Sequence, residues 1–201
     1  MKQFFICLCL AISCQLVAAP KVVQIYSQDE LLNLIRKNQH LQRVKADDCQ
    51  LLQDIEARAM KVKVPAYQFL YGDMLAYEIC VERDVERGLH YMKLAAEQGL
   101  PEGMEQLGRY YHIGKFVQKD TSMAITYLRE ASSMGNLNAQ IRLVEIFLSG
   151  QGSPRDYEDA YRWLHHAVIA DKKTHKKVEN LLASLAKLMP ERVVKRAKRR
   201  V

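Results

Sequence analysis

The chain has 201 residues, 49% hydrophobic and 26% charged, which excludes a wholly disordered polymer, and 9 Gly with 5 Pro exclude a collagen-like one. That length supports one domain with a proper core or two small ones. The formal charge of +7 is uneven: residues 171–201 hold 11 Lys/Arg against 3 Asp/Glu, a net +8, whereas residues 20–170 hold 18 against 20, a net −2.

Residues 1–19 read as a secretory signal peptide. Lys2 supplies the positive start, Phe4 to Val17 is an apolar run broken only by Cys, Ser and Gln, and Ala18 and Ala19 are small residues suited to cleavage. Pro20 directly after the cut is unfavourable and leaves the site open. The rival is lipoprotein processing at Cys14, against which stands Ala11 in place of Leu three residues earlier. The run is too short to span a bilayer comfortably, and no later segment reaches eighteen apolar residues, so the mature chain is expected to be exported to the periplasm.

Residues 20–65 form an N-terminal segment. Val23 to Ser27 is short and β-prone, and Ser27-Gln28-Asp29-Glu30 has the form of a capping box ahead of Leu31, Leu34 and Ile35. A second helical pattern passes through Cys49, Leu52, Ile55 and Ala59. With Cys7, Cys9 and Cys14 in the leader, Cys49 and Cys80 are the only mature pair. In an oxidising compartment they are candidates for one disulfide, closing a loop of about thirty residues and contributing about 2–4 kcal/mol. The alternative is two separate buried thiols. The six histidines, His40, His90, His112, His165, His166 and His175, form no cluster with metal-ligand spacing, so no bound metal is expected.

Residues 66–171 carry a repeat of period 36. Asp84, Asp120 and Asp156 fall on it, as do Tyr91, Tyr127 and Trp163, then Ala95, Ala131 and Ala167, then Gly88, Ala124 and Ala160. Gly99 and Gly135 share a fifth register, with Asp171 as its third member. Three units follow, at residues 66–100, 101–136 and 137–171, each reading as helix, loop, helix. The first helices are expected at 66–77, 102–112 and 138–149, with Phe69, Tyr110, Tyr111, Ile146 and Phe147 in contact.

The second helices show one apolar or small stripe each: Val85, Gly88, Leu89, Met92, Ala95 and Ala96; then Ala124, Ile125, Leu128 and Ala131; then Tyr157, Ala160, Tyr161, Leu164, Ala167 and Val168. The three aspartates precede these stripes and are expected to cap them. Gly99 and Gly135 follow, where the left-handed conformation is cheap only for glycine. The small residues predict close helix approach, with the aromatic at 91, 127 and 163 covering the seam. Stacked units leave a curved binding surface.

Residues 172–201 combine a leucine stripe (Leu181, Leu182, Leu185, Leu188), expected to cap the open end of the stack, with a basic tail. Arg192, Lys195, Arg196, Lys198, Arg199 and Arg200 are candidate partner-docking residues, expected to project towards an acidic protein or the anionic envelope. Export and the acidic body argue against nucleic acid. A hydrolase needs a nucleophile, a base and an orienting group. Ser132-Ser133 lies near no base, Glu97 and Glu130 read as surface charges, and Glu78, Glu82, Asp84 and Glu86 read as a solvated acidic loop. No catalytic residue or cofactor-binding residue is assigned.

The run Leu107-Gly108-x-x-Tyr111-x-x-Gly114-x-x-Val117-x-x-Asp120-x-x-x-Ala124-x-x-Tyr127-x-x-x-Ala131-x-x-x-Gly135, with Ala95-Ala96-Glu97-Gln98-Gly99, resembles Sel1-type repeats, relatives of the tetratricopeptide solenoid. Unit one departs with Glu78 and Glu82 in place of loop glycines, and unit three has Val144 where unit two has Gly108. The resemblance implies an all-α fold, a right-handed α-α solenoid. The stretches VQIYSQDELLNLIRKNQHLQRVKADDCQLLQDIEARA (23–59), YGDMLAYEICVERDVERGLHYMKLAAEQG (71–99) and YEDAYRW (157–163) extend it to the family of periplasmic components of the sodium-driven polar flagellar motor.

That resemblance implies a non-catalytic adaptor without cofactor. It would form a ring with a MotY-like protein around the flagellar basal body and help capture the stator through the periplasmic part of its PomB-like B subunit. The alternatives are a generic periplasmic Sel1 scaffold for another envelope complex, and a secreted cell-wall hydrolase. Partner contacts are expected on the concave side and in the N-terminal segment.

Overall fold

The computed structural model describes residues 24–199. The expected signal peptide, Cys14 and Arg200 lie outside the described residues. Three short helices come first: α1 (Gln28–Arg36), α2 (His40–Ala46) and α3 (Leu52–Ala57), the last running into one π-helical turn, Arg58–Val62. Three helix hairpins follow, α4 (Pro65–Tyr77) with α5 (Val85–Glu97), α6 (Pro101–Ile113) with α7 (Thr121–Ser133), and α8 (Leu137–Leu148) with α9 (Tyr157–His165). The chain ends in α10 (Lys172–Ala186) and α11 (Glu191–Ala197). Among the described residues there is no strand, and no helix is long and apolar enough to cross a membrane.

Local chemistry sets the hairpin boundaries. Pro65 and Pro101 open α4 and α6 at the first helical position, where the missing N–H costs nothing. The Asp84 and Asp120 carboxylates each accept a hydrogen bond at 3.0 Å, from the Arg87 and Met123 amides. Gly99 and Gly135 both adopt φ 85° just past α5 and α7. Glu78, the residue 36 before Gly114, takes the same left-handed turn at φ 58° without being a glycine.

The third unit breaks the pattern. Asp156 does not cap α9 with its side chain; it sits in a 3₁₀ turn, Pro154–Asp156, and pairs with Arg129 of α7 at 3.3 Å. Helix α9 ends at His165, so Ala167 lies outside the helical stripe in irregular, half-buried chain, and Val168 is 95% exposed. Asp171 accepts from the Thr174 amide at 2.6 Å and caps α10. A carboxylate makes a good N-cap and a poor left-handed residue, so the chain leaves α9 early and starts a new helix.

The hairpins close through small residues. A Cβ added to Gly72 would lie 2.7 Å from the Gly88 carbonyl oxygen, and one added to Gly88 would lie 2.7 Å from that of Gly72, so α4 and α5 meet backbone to backbone. Ala95, Ala124, Ala131 and Ala160 are buried at the later seams. The half-buried aromatics lie across these pairs: Tyr91 meets Tyr71 edge-on at 5.1 Å, and Tyr127 stacks on Tyr111 at 5.9 Å. Trp163 lies beside Ile125 and Arg129 in a shallow hollow.

Helices α1–α3 are packed onto α4. Tyr26, Leu31, Ile35, Val44, Leu51, Ile55 and Ala59 share one core with Tyr67, Phe69, Leu70, Tyr71, Met74 and Leu75. Covered on one side by this segment and on the other by α5, α4 is buried from Ala66 to Ala76, which explains why its sequence shows no polar face. Residues 24–27, although β-prone, are irregular, with no strand among the described residues to pair with them. Ser27 accepts from the Glu30 amide at 3.2 Å, but the Glu30 carboxylate turns to Arg43 instead of completing a capping box.

Cys49 lies outside the helices, in the turn after α2, and is disulfide-bonded to Cys80 in the turn after α4, with alpha carbons 5.6 Å apart. Asp48 and Cys49 on one side, and Glu78 and Cys80 on the other, are all left-handed, so both turns are conformations that need holding.

At the far end, α10 lies across α8 and α9, burying Val178 and Leu185, with Leu181 and Leu182 half-buried and Leu188 left exposed. The basic tail does not project through α11. Ala197 is fully buried, and the Arg196 guanidinium grips Glu158 of α9 through two hydrogen bonds, one of them at 2.6 Å from Nε. Arg196 first, and Arg162 with it, hold the Glu158 carboxyl below the usual carboxylate range.

Two outcomes follow from this architecture. Gly88→Ala is expected to lower the unfolding free energy by about 1–3 kcal/mol, since backbone atoms must separate to admit the methyl group; urea denaturation measures it. Because the Glu158 carboxyl is depressed in the folded state, its contribution is complete at neutral pH and fades on acidification below the ordinary value of 4.5. Glu158→Gln should therefore make α11 sensitive to trypsin at pH 7, as acidification should loosen it in the parent protein by hydrogen exchange.

Candidate functional site

The first helix of each hairpin faces inward, and together α4, α6 and α8 line a concave groove of about 770 Å³. Ile35, Arg36, Asn38, His40 and Leu41 close one end, and Thr174 and Lys177 of α10 close the other. The two regions expected to carry partner contacts, the concave side and the N-terminal segment, are thus parts of one surface.

The floor of the groove is a buried polar network. The His40 Nε2 and Asp73 Oδ2 atoms are 2.7 Å apart, with side chains 3% and 2% exposed. The other Asp73 oxygen accepts from Gln106 Nε2 at 3.3 Å and lies 3.4 Å from the Tyr110 hydroxyl oxygen. Tyr110 in turn donates to the Tyr77 hydroxyl at 2.9 Å, and Arg109 donates to Gln106 Oε1 at 2.7 Å. Burial raises the Tyr110 phenol well above its ordinary value, with Asp73 adding to the shift. Burial acts on Tyr77 in the same sense but is outweighed by Tyr110, Lys115 and Arg109, which hold that phenol below its ordinary value.

Above the floor, ion pairs tie each inner element to the next. Arg36 of α1 meets Glu102 of α6 at 2.8 Å, Arg142 of α8 faces Glu105 of α6 at 3.6 Å, and Lys177 of α10 meets Glu145 of α8 at 2.7 Å. Burial pushes the Glu105 carboxyl up, against the pull of Arg142 and Arg109. Three buried side-chain atoms of this groove have no hydrogen-bond partner among the described residues: His40 Nδ1, Glu102 Oε2 and Arg142 Nε.

The repeat-defining residues serve the seams and turns. Asp84, Tyr91, Ala95, Gly99, Asp120, Tyr127, Ala131, Gly135, Asp156, Trp163 and Ala167 are not part of the groove lining. Of the tail, Arg192, Lys198 and Arg199 are exposed, Lys195 pairs with Glu191 at 2.8 Å, and Arg196 is held by Glu158. Glu97, Glu130, Glu78, Glu82 and Glu86 are exposed charges, and the Ser132 hydroxyl is buried at a helix seam.

The inner-face residues were missed at the sequence level, although the period of 36 also carries them: Asp73, Arg109 and Glu145 share one register, Gln106 and Arg142 another. Among the described residues, no group of three His, Cys, Asp or Glu is placed to hold a metal ion. Asp73→Ala would strand His40, Gln106 and Tyr110 in the interior; a loss of about 3 kcal/mol is expected. Hydrogen exchange should show α1 and α2 opening before the hairpins do.

The Sel1 repeat family matches residues 65–100, 101–136 and 137–168. The sodium-type polar flagellar protein MotX of Vibrio parahaemolyticus serotype O3:K6 is 59% identical over 184 residues, which span 92% of this chain and 86% of that protein. An exopolysaccharide production negative regulator of Rhizobium meliloti is 32% identical over 116 residues, 51% of this chain and 41% of its own length. Among solved structures, a Sel1 repeat protein from Oxalobacter formigenes is similar with a TM-score of 0.57 and 25% identity, over 64% of this chain and 97% of that one. The protective antigen c5321 of uropathogenic Escherichia coli is similar in fold with a TM-score of 0.55, at 19% identity, over 82% of this chain and 42% of its own.

Proposed function

The chain belongs to the Sel1 repeat family and to the family of the sodium-type polar flagellar protein MotX, and from that premise we propose that it is a non-catalytic adaptor of the sodium-driven flagellar motor. It is exported by its N-terminal signal peptide and works in the periplasm. There it joins a MotY-like protein in a ring around the basal body and helps recruit and hold the stator through the periplasmic part of a PomB-like B subunit. Residues 20–65 form the partner-binding segment, residues 66–171 the three repeats, and residues 172–201 the cap with its basic end.

One observation carries this reading. The identity of 59% runs through 92% of the chain, so it covers the N-terminal segment as well as the repeats, and those two parts build the groove together. Repeats alone would support only a binding scaffold. A solenoid that presents a continuous inner face suits the holding of a partner, because binding needs a preformed surface rather than a reacting group. The exposed Arg192, Lys198 and Arg199 give a second, salt-sensitive contact for an acidic partner surface.

The reading is tested in a strain lacking the gene, scored for swimming together with fluorescent stator units at the flagellated pole. Filaments that assemble but do not turn, with polar stator foci gone, are the expected result. Normal swimming would remove the motor assignment and leave a scaffold for some other envelope complex.

A further inference from the structure

The groove is uncompensated on one wall. Among the described residues, neither Arg109 nor Lys115 has a carboxylate within 4.0 Å. Arg109 lies over the Tyr110 ring at 5.0 Å, and Lys115 Nζ lies 4.5 Å from the centre of the Tyr77 ring. Arg142 stands beside them with its Nε buried and unpartnered, since Glu105 at 3.6 Å is too far for a hydrogen bond. Glu105 is shared by Arg142 and Arg109, and Asp73 beneath them is engaged by His40 and Gln106.

The opposite need appears towards the N-terminal end. The second Glu102 oxygen is a buried acceptor without a donor. His40 Nδ1 is a second buried atom there without a partner. A simple anion answers the donors and not the acceptor. An extended peptide answers both, because its amides donate and an acidic side chain accepts.

We propose that the concave groove holds an extended acidic segment of a protein partner, one side-chain carboxylate lying among Arg109, Lys115 and Arg142, and a main-chain amide facing Glu102. This rests on the adaptor reading and names the chemistry of the partner it would hold. The open groove of about 770 Å³ has room for a few residues of such a segment.

Fluorescence anisotropy of the purified, disulfide-bonded protein with a fluorescein-labelled hexaglutamate peptide tests it. Lys115→Gln and Arg109→Gln should each weaken binding about tenfold, the value of one charge-assisted hydrogen bond. Hexaglutamine should not bind, and Lys93→Gln, at an exposed position of α5 outside the groove lining, should leave the affinity unchanged. Lys115 follows α6 in a loop, so its variant is expected to fold even if Arg109→Gln does not, and circular dichroism checks both.

Affinity insensitive to Lys115→Gln and Arg109→Gln would overturn the proposal. So would an equal loss in Lys93→Gln, or displacement of the peptide by inorganic phosphate at concentrations where free glutamate fails. Swimming of the deletion strain reports on the motor assignment independently, so the two ideas fail separately.

Discussion

The contact between His40 and Asp73 governs how the rest of the molecule is arranged. Both side chains are nearly inaccessible, and they come from different parts of the chain, α2 and α4. A buried polar pair of this kind is costly unless every partner is in place, so it fixes the angle at which the N-terminal helices meet the first repeat. The disulfide from Cys49 to Cys80 then fastens the same junction from its outer side. Together they turn α4 from an edge helix into an interior one. That lets Asp73, a residue an edge helix would show to water, serve as the floor of a groove.

Seams and groove depend on different residues of the same hairpins. Gly72 and Gly88 set how closely α4 and α5 approach, and Ala124, Ala131 and Ala160 do the same further along. The inner-face columns leave those seams alone: Arg109 and Arg142 line the groove. This division lets a repeat stack keep its shape while its inner face is varied, since changes at independent sites tend to add without coupling.

The sequence was most informative where one residue type satisfies one local demand. Asp84 and Asp120 cap, and Gly99 and Gly135 turn left-handed, because backbone chemistry alone decides those positions. It was least informative where the outcome turns on competition between neighbours. Asp156 has the right spacing for a cap, yet a 3₁₀ turn and Arg129 claim it first. Arg196 looks like a free tail cation until Glu158, 38 residues earlier, is brought beside it. The groove network was hidden for another reason. His40, Gln106 and Arg142 are unremarkable alone, and only the docking of α1 and α2 onto the repeats makes them one surface.

The ion pairs also link what the groove holds to how the stack is joined. Each pair spans two elements: Arg36 to Glu102 joins the N-terminal segment to α6, Arg142 to Glu105 joins α6 to α8, and Lys177 to Glu145 joins α8 to the cap. The middle one is the longest and the least satisfied, with Glu105 desolvated and Arg142 Nε unpartnered. A carboxylate held at Arg142, as proposed for the occupant of the groove, would compete with Glu105 at that joint. In a solenoid each repeat touches only its neighbours, so a change at this joint reaches the ends only through the repeats on either side.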